Sequence, residues 1–321
     1  MPKRNKKKNI VVIGGGTGVY TVLSGLKKYP VYLSAVVSMA DEGGSTRTLR
    51  EEFGILPPGS VRPALISLSN SEKILSDLFN YRFEEGSLKG HNFGNLFITA
   101  LTRITGSFES AIEETGKILR IHGRVIPSTL DCSRLCAKLE NGEIVEGENN
   151  IDVPKHDGRL KIKELYFNSK CRPNRRAITA IKDADLIVIG PGDLFSSILP
   201  NLLFEETVRV MQKSRAKKVY VCNLMTKFGE TNGFSAQDFV GKIEEYLGEN
   251  ALDYVICNTK RPSRGRIIKY EKEKAEFVKC GKENLDKKKF RIIEGDYLRK
   301  RGFIRHDPDK LAKTLIEICR R

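Results

Sequence analysis

The chain has 321 residues, of which 40% are hydrophobic and 30% charged, and this length can bury one large core. The net charge of +16 lies at the two ends, because residues 1–8 are basic and residues 259–321 carry 21 Lys/Arg against 10 Asp/Glu. No apolar run approaches the ~20 residues of a membrane-spanning helix, and the N-terminus lacks the apolar stretch of a signal peptide. We therefore expect a cytoplasmic protein with no membrane partner.

The basic ends do not by themselves indicate a nucleic-acid-binding protein. Basic patches attract nucleic acid and other anions, but the sequence has neither an aromatic RNP-type strand nor a KH-like GxxG loop. We expect a solvated surface and no nucleic-acid partner. RNA binding through residues 1–8 and Lys287–Lys289 is kept as a third hypothesis. The seven cysteines form no CxxC pair, so we expect reduced thiols rather than a zinc site.

Strands alternate with helices along the chain after a tail, residues 1–8, that we expect to be disordered. Apolar runs predict buried strands within residues 9–13, 32–39, 184–193, 217–226 and 252–258. Helical patterns cover about 18–28, 62–81, 93–104, 108–120, 203–214 and 235–247, with a closing helix at 306–321. This order predicts an α/β fold with a doubly wound, mainly parallel Rossmann-like sheet.

A change of pattern near Gly123 predicts a small β-rich insert at about 124–170. RLCAKLENGEIVEG alternates between apolar and polar residues, with Asn141 and Gly142 between two short runs, which is typical of a hairpin. LKIKELYF, at 160–167, alternates as well. The sequence therefore predicts one domain, residues 9–321, that carries this insert and ends in the basic segment 259–321.

Four polar, glycine-rich loops follow predicted strands. They are GGGTG (14–18), ADEGGST (40–46), GPGDLFSS (190–197) and NLMTKFGET (223–231). In open parallel sheets, ligands bind at the carboxyl ends of the strands, near the point where the strand order reverses. We expect these loops to meet there, and GHNFGN (90–95), ahead of a helix, is a candidate fifth member.

The first loop suits an oxyanion, because glycines let the backbone come close and the amides at a helix start point outward. A tight strand-to-helix turn is the alternative. The dinucleotide fingerprint is absent, since Val19 stands where its third glycine belongs and the second strand has no acidic residue at its end. There is also no GxxxxGK[ST] sequence, which argues against a P-loop NTPase.

The second and third loops carry candidate carboxylates. Asp41 and Glu42 could hold Mg²⁺ or orient a ligand hydroxyl, but this loop is equally typical of a helix N-cap made by Ser45 or Thr46. Gly192 ends a buried strand and is followed by Asp193, Ser196 and Ser197, as in a plain turn. His91 is a candidate acid or base, and no Ser/His/Asp set is readable.

Together these motifs resemble the CofD-like superfamily, and more closely its YvcK-type branch, the gluconeogenesis factors. The resemblance rests on GGGTG, DEGGST, LPPG, HNFGN, PSTL, IGPGDLFSSILPNL and NLMTKFGETNGFS, from about residue 9 to the last helix. It implies a Rossmann-like sheet with an insert. It also implies a regulatory protein that binds UDP-N-acetylglucosamine, supports cell-envelope growth and cell shape, and has no established catalysis.

The resemblance also implies site residues. The glycine loop would hold the diphosphate, and Tyr270 and Arg305 match positions that the family uses for the nucleotide sugar. The full candidate set is Gly14, Gly15, Gly16, Thr17, Gly18, Asp41, Glu42, Asn95, Gly192, Asn201, Asn223, Thr226, Tyr270 and Arg305. The chain departs from the family at Glu42, Arg47 and Ser60, which replace Asp, Gly and Asp.

These departures weaken a metal-dependent transfer more than anion binding. We therefore expect a UDP-sugar-binding regulator with a protein partner and no required cofactor; Mg²⁺ at Asp41 and a homo-oligomer are left open. The alternative is the other branch of the superfamily, 2-phospho-L-lactate transferase. That enzyme moves a phospholactyl group from a guanylylated donor to a deazaflavin with Mg²⁺, and Asp41 and Glu42 would then be its catalytic candidates.

Overall fold

Seven parallel strands form the main sheet of the structure, a computed structural model that describes residues 7–281 and 290–321. The strands are β1 (Asn9–Gly14), β2 (Tyr32–Val37), β3 (Arg124–Pro127), β7 (Leu186–Ile189), β8 (Lys217–Val221), β9 (Tyr254–Asn258) and β10 (Arg291–Gly295). Their order across the sheet is β10-β9-β8-β7-β1-β2-β3. The predicted doubly wound, parallel sheet is confirmed.

Helices cover both faces of this sheet, which explains why its central strands are apolar on both sides. The longer helices are α1 (Gly16–Leu26), α2 (Gly44–Phe53), α3 (Pro58–Leu68), α4 (Lys73–Asn80), α5 (Phe93–Thr105), α6 (Phe108–Ile118), α8 (Arg175–Lys182), α9 (Glu205–Lys213), α10 (Ala236–Leu247), α11 (Arg264–Glu271) and α12 (Pro308–Arg320). Two large apolar clusters result: α1, α3 and α12 contribute to one, and α8, α9 and α10 to the other.

The chain reverses direction across the sheet between β1 and β7. From β1 it proceeds outward through β2 and β3, then returns to β7 and proceeds through β8 and β9 toward the opposite edge. The loops that follow β1 and β7 therefore diverge at the carboxyl ends of two adjacent strands. This is the place where open parallel sheets form a ligand crevice.

The insert is a three-stranded antiparallel sheet in the order β5-β4-β6. It comprises β4 (Leu135–Leu139), β5 (Ile144–Glu146), the short helix α7 (Glu148–Asp152) and β6 (Ile162–Phe167). The predicted hairpin at Asn141-Gly142 is confirmed, and Gly142 has φ +89°. The predicted start at residue 124 is wrong, because residues 124–127 pair with β2 and form the edge of the main sheet.

Two helix predictions are corrected. The pattern at 62–81 is two helices, α3 and α4, because Ser69 is extended and its hydroxyl accepts a hydrogen bond from the amide of Ser71. Helix α2 is not capped by Ser45 or Thr46: Gly43 is its N-cap and both residues lie inside its first turn. The strand β10 and the helices α8 and α11 were not predicted.

The closing helix is confirmed, and Asp307 caps it by accepting hydrogen bonds from the amides of Asp309 and Lys310. Most of the predicted tail, and Lys287–Lys289, lie outside the described residues. Within the described ranges, no helix is both long enough and apolar enough to cross a membrane.

Candidate functional site

The glycine loop after β1 presents backbone amides at the start of α1. Gly14 has φ +151°, Gly15 is the extended N-cap, and α1 begins at Gly16, which has φ +56°. The N-cap makes no side-chain hydrogen bond, and the first turn contains no acidic residue. The unsatisfied amides and the positive end of the helix dipole therefore favour an anion at this point.

The loop after β7 packs directly against this helix start. A Cβ on Gly18 would lie 1.5 Å from the carbonyl oxygen of Pro191, so only glycine permits the approach. Asn201 holds the arrangement from beneath, because its side-chain amide donates to the carbonyls of Gly14, Ser197 and Ile198 at 3.4, 2.9 and 3.0 Å. Asn201 is buried, so we assign it a supporting position rather than contact with a ligand.

A cleft of about 130 Å³ opens beside these two loops. Its walls also come from the loop after β8 and from the segment that precedes α12. Six of the predicted residues line it: Thr17, Gly18, Gly192, Asn223, Tyr270 and Arg305. The side-chain amide of Asn223 donates to the carbonyl of Gly192 at 2.6 Å, and this hydrogen bond joins the loop after β8 to the loop after β7.

Tyr270 and Arg305 reach the cleft from the C-terminal segment. The hydroxyl of Tyr270, on α11, accepts a hydrogen bond from the amide of Ile304 at 3.0 Å. Arg266, one turn earlier, donates to the carbonyls of Arg299, Gly302 and Phe303 at 2.8, 3.1 and 2.7 Å. Helix α11 thus fixes the 299–305 loop, while the exposed guanidinium of Arg305 lies 5.3 Å from the ring centre of Phe303.

Asp41 is engaged within its own loop. Its Oδ2 accepts from the hydroxyl of Thr46 at 2.7 Å, and its Oδ1 accepts from the amide of Gly43 at 3.0 Å. Gly59 passes so close that a Cβ there would lie 2.2 Å from Asp41 Oδ2. These contacts hold the loop between β2 and α2 in shape.

Glu42 is buried and forms ion pairs within the protein. Its Oε1 lies 3.4 Å from both the Arg50 and the Arg134 guanidinium groups, so it ties α2 to the insert. The amide of Glu42 donates to Glu148, at the start of α7. Burial, with the nearby charges of Asp41 and Asp152, raises the pKa of Glu148 to about 8, and Glu148 therefore carries a proton at neutral pH.

Asn95 also helps to hold the loop between β2 and α2 in place. Its Oδ1 accepts from Arg62 at 3.0 Å, and its amide donates to the hydroxyls of Ser45 and Thr46, both at 3.4 Å. Asn95 is 3% exposed and does not line the cleft. His91, from the same segment, lies 3.4 Å from the Ser45 hydroxyl.

Thr226 is likewise buried away from the cleft. It exchanges hydrogen bonds with Glu276: its amide donates to the Glu276 carbonyl at 2.7 Å, and its hydroxyl accepts from the Glu276 amide at 2.8 Å. This fixes the end of the loop after β8 against the segment that follows α11.

A partly buried ionic cluster, which was not predicted, is centred on Lys227, whose side chain is 30% exposed. Lys227 pairs with Asp152 of α7 and, at 3.1 Å, with Asp193, which lines the cleft. Burial lowers the pKa of Lys227, but Asp193, Glu230 and Asp152 outweigh it and leave the pKa above its usual range. The cluster therefore joins the insert to the cleft wall.

His306, which directly follows Arg305, was also not predicted as a site residue. It lines the cleft and is 6% exposed. Burial lowers its pKa to about 4, so the ring is neutral at physiological pH. Its Nε2 is buried without a hydrogen-bond partner among the described residues.

The residues do not by themselves form a metal site. Each oxygen of Asp41 accepts a hydrogen bond from the protein, and Glu42 is ion-paired with two arginines. In the described ranges, no group of three or more His, Cys, Asp or Glu residues is arranged to hold a metal ion.

Comparison with known proteins covers nearly the whole chain. The family described as 2-phospho-L-lactate transferase CofD matches residues 10–298. A protein named gluconeogenesis factor from Halalkalibacterium halodurans is 42% identical over 316 residues, which is 97% of each chain. Another with that name, from Listeria innocua, is 41% identical over 319 residues, or 98% of this chain and 97% of its own.

The fold is shared with a solved structure. A crystal structure of a Bacillus halodurans protein superposes with a TM-score of 0.93 at 40% identity, covering 97% of this chain and all of that one. The sheet, the insert and the C-terminal segment therefore belong to a common architecture.

Proposed function

The chain belongs to the CofD family, and we propose that it binds a UDP-sugar, UDP-N-acetylglucosamine above all, as a regulatory protein. One observation carries this proposal: six residues from five separate places in the sequence line one cleft at the point where the strand order reverses. In this proposal the amides at the start of α1 bind the diphosphate, and Arg305 supplies the opposing charge.

The size of the cleft determines how such a ligand would lie. Pockets for ligands of this class commonly measure ~300–1,000 Å³, whereas the cleft measures about 130 Å³. The diphosphate would fill the enclosed part, and the uridine and the sugar would extend along its open sides. Tyr270, which lines the cleft, offers a ring for stacking.

The candidate acids favour regulation over chemistry in this proposal, because both already hold protein contacts. Asp41 accepts hydrogen bonds from Thr46 and Gly43, and Glu42 Oε1 pairs with Arg50 and Arg134. A regulator would act by population shift, since a ligand that prefers one arrangement of the loops changes the affinity for a partner protein. We place this activity in the cytoplasm and link it to cell-envelope growth and cell shape.

The alternative is a phospholactyl transferase, which the description of the matched family favours. It predicts product when a guanylylated phospholactate donor, a deazaflavin acceptor and Mg²⁺ are mixed with the protein. Absence of turnover at every Mg²⁺ concentration would remove this alternative.

A thermal-shift panel of UDP-N-acetylglucosamine, UDP-glucose, GDP and NADH tests the proposal. A ligand at 100 times its Kd should stabilise the protein by about 2.7 kcal/mol, and we expect the UDP-sugars to give the largest shifts. The largest shift with NADH would contradict a UDP-sugar site and indicate a dinucleotide site.

A further inference from the structure

A second concavity lies on the other side of Tyr270 from the cleft. This α11 groove measures about 600 Å³, and its lining includes Arg266, Lys269, Tyr270, Glu273 and Phe303. It is several times larger than the cleft, and no part of the proposed ligand is placed in it. Tyr270 is the wall that the two concavities share.

The α11 groove combines an exposed aromatic ring with basic surroundings. Phe303, which lines the groove, is 70% exposed. Apolar side chains left in water at a concave site mark places where a partner covers them. The charged residues that line the groove are Arg266, Lys269 and Glu273, and the two segments around it, 260–274 and 299–305, together carry eleven Lys/Arg against two acids.

We propose that the α11 groove docks an acidic protein segment that carries a large apolar side chain. Carboxylates of this segment would face Lys269 and the neighbouring cations, while its apolar side chain covers Phe303. Charge complementarity would steer the encounter, and the covered ring would supply the affinity of the bound state.

The form of the groove favours a protein segment over a nucleic acid. Single-stranded nucleic acids bind along basic tracks on which several aromatic rings stack successive bases. The α11 groove instead has one exposed ring, Phe303, in a bounded concavity of about 600 Å³, within the range of pockets that enclose a few side chains.

The groove and the cleft are mechanically joined. Phe303 lines the groove and Arg305 lines the cleft, two residues apart on the loop that Arg266 and Tyr270 hold. In the structure the Arg305 guanidinium lies over the Phe303 ring at 5.3 Å. A diphosphate that draws Arg305 into the cleft would uncover this ring and change the groove. This coupling, unlike the docking itself, rests on the proposed function.

Fluorescence anisotropy with a labelled 12-residue peptide of Glu, Asp and Leu tests the docking without any nucleotide. We expect Lys269→Glu to weaken binding about tenfold and Phe303→Ser about fivefold, losses that single interface groups commonly cause. Lys138→Glu, an equal charge reversal at an exposed position on the central strand of the insert, should change binding less than twofold and controls for net charge. Replacing the peptide's leucines with serines should reproduce the loss seen with Phe303→Ser.

Either of two results would overturn the docking proposal. One is equal binding of the peptide by wild type, Lys269→Glu and Phe303→Ser. The other is a single-stranded RNA of 12 nucleotides that displaces the peptide and itself loses affinity with the same two variants, which would make the groove a nucleic-acid surface.

Calorimetry with UDP-N-acetylglucosamine separates this proposal from the proposed function. Peptide binding that depends on Phe303, in a protein that does not bind the UDP-sugar, contradicts the proposed function alone. UDP-sugar binding with peptide affinity indifferent to both groove variants contradicts the docking alone. Where both bind, saturating UDP-sugar should change the peptide Kd by about fivefold or more, and Arg305→Ala should abolish that change.

Discussion

Gly18 and Pro191 are in direct contact across the point where the strand order reverses, since a Cβ on Gly18 would lie 1.5 Å from the Pro191 carbonyl oxygen. The first turn of α1 and the loop after β7 therefore form one continuous wall. Because the two loops are in contact, the glycine loop and Gly192 line the same cleft.

We predict that Gly18→Ala destabilises the protein by ~1–3 kcal/mol, the usual cost of forcing a methyl group into a packed contact. It should also weaken UDP-sugar binding, because the two loops must move apart. Gly44→Ala is the matched control: it lies in the first turn of α2, where a Cβ would meet nothing within 4 Å. Thermal denaturation of both variants measures the difference, and equal stability would contradict the assigned contact.

Arg266 should act as a positioning residue for the cleft, because it holds the loop that carries Arg305 by three backbone carbonyls. We expect Arg266→Lys to weaken UDP-N-acetylglucosamine binding roughly tenfold, since an ammonium cannot span the three acceptors. Arg264→Lys, on the exposed face of the same helix, should bind as wild type does. Unchanged affinity of the Arg266 variant in calorimetry would show that the loop orders itself without that side chain.

Glu148 should make stability fall as the pH rises. Its pKa is raised from 4.5 to about 8 in the folded protein, so the folded state holds a proton that the unfolded state has lost. The stability it contributes is fully present below about pH 4.5 and is lost as the pH rises through about 8, by at most ~1.4 kcal/mol per unit.

Urea titrations of the Glu148→Gln variant between pH 5 and 9 measure this contribution. The neutral amide resembles the protonated acid, so the variant should match wild type at pH 5 and exceed its stability at pH 9. Glu143→Gln, on the exposed hairpin loop, should leave the slope unchanged. An equal loss of stability at every pH in the Glu148 variant would show that its hydrogen bond, and not its charge, matters.

We predict that Mg²⁺ is dispensable for UDP-sugar binding, because Asp41 holds its own loop through hydrogen bonds from Thr46 and Gly43 and does not line the cleft. Calorimetry in EDTA and in excess MgCl₂ should give Kd values within twofold of each other. A tenfold loss in EDTA that Asp41→Asn reproduces would instead restore Asp41 as a metal ligand.

The sheet and the meeting of three of the four polar loops were predictable from the sequence, because parallel strands place their carboxyl ends on one edge; the other loop, residues 40–46, does not line the cleft. The C-terminal elements were not: RPSRGRIIKYEKE, which contains α11, is too charged to show an apolar period, and its helix is held by distant carbonyls near residue 300. Tyr270 and Arg305 entered the candidate site by family resemblance alone.

The sequence also could not show which way polar side chains face. Glu42 and Asn95 lie in the predicted loops, yet both side chains contact other parts of the protein and not the cleft. Glu42 pairs with Arg50 and Arg134, and Asn95 accepts a hydrogen bond from Arg62. Those partners lie 8 to 92 residues away, and no local pattern reveals such pairs. Lys227 lies in the loop NLMTKFGET, which was predicted to be part of the site. It is the single cation among the polar residues of that loop, and this charge was the signal that could have revealed its role.

A crystal soaked with UDP-N-acetylglucosamine tests the central claim most directly. The account predicts density for the diphosphate within hydrogen-bonding distance of the amides of Gly16, Thr17 and Gly18, with Arg305 turned toward it. An empty cleft beside a nucleotide bound elsewhere on the protein would contradict it.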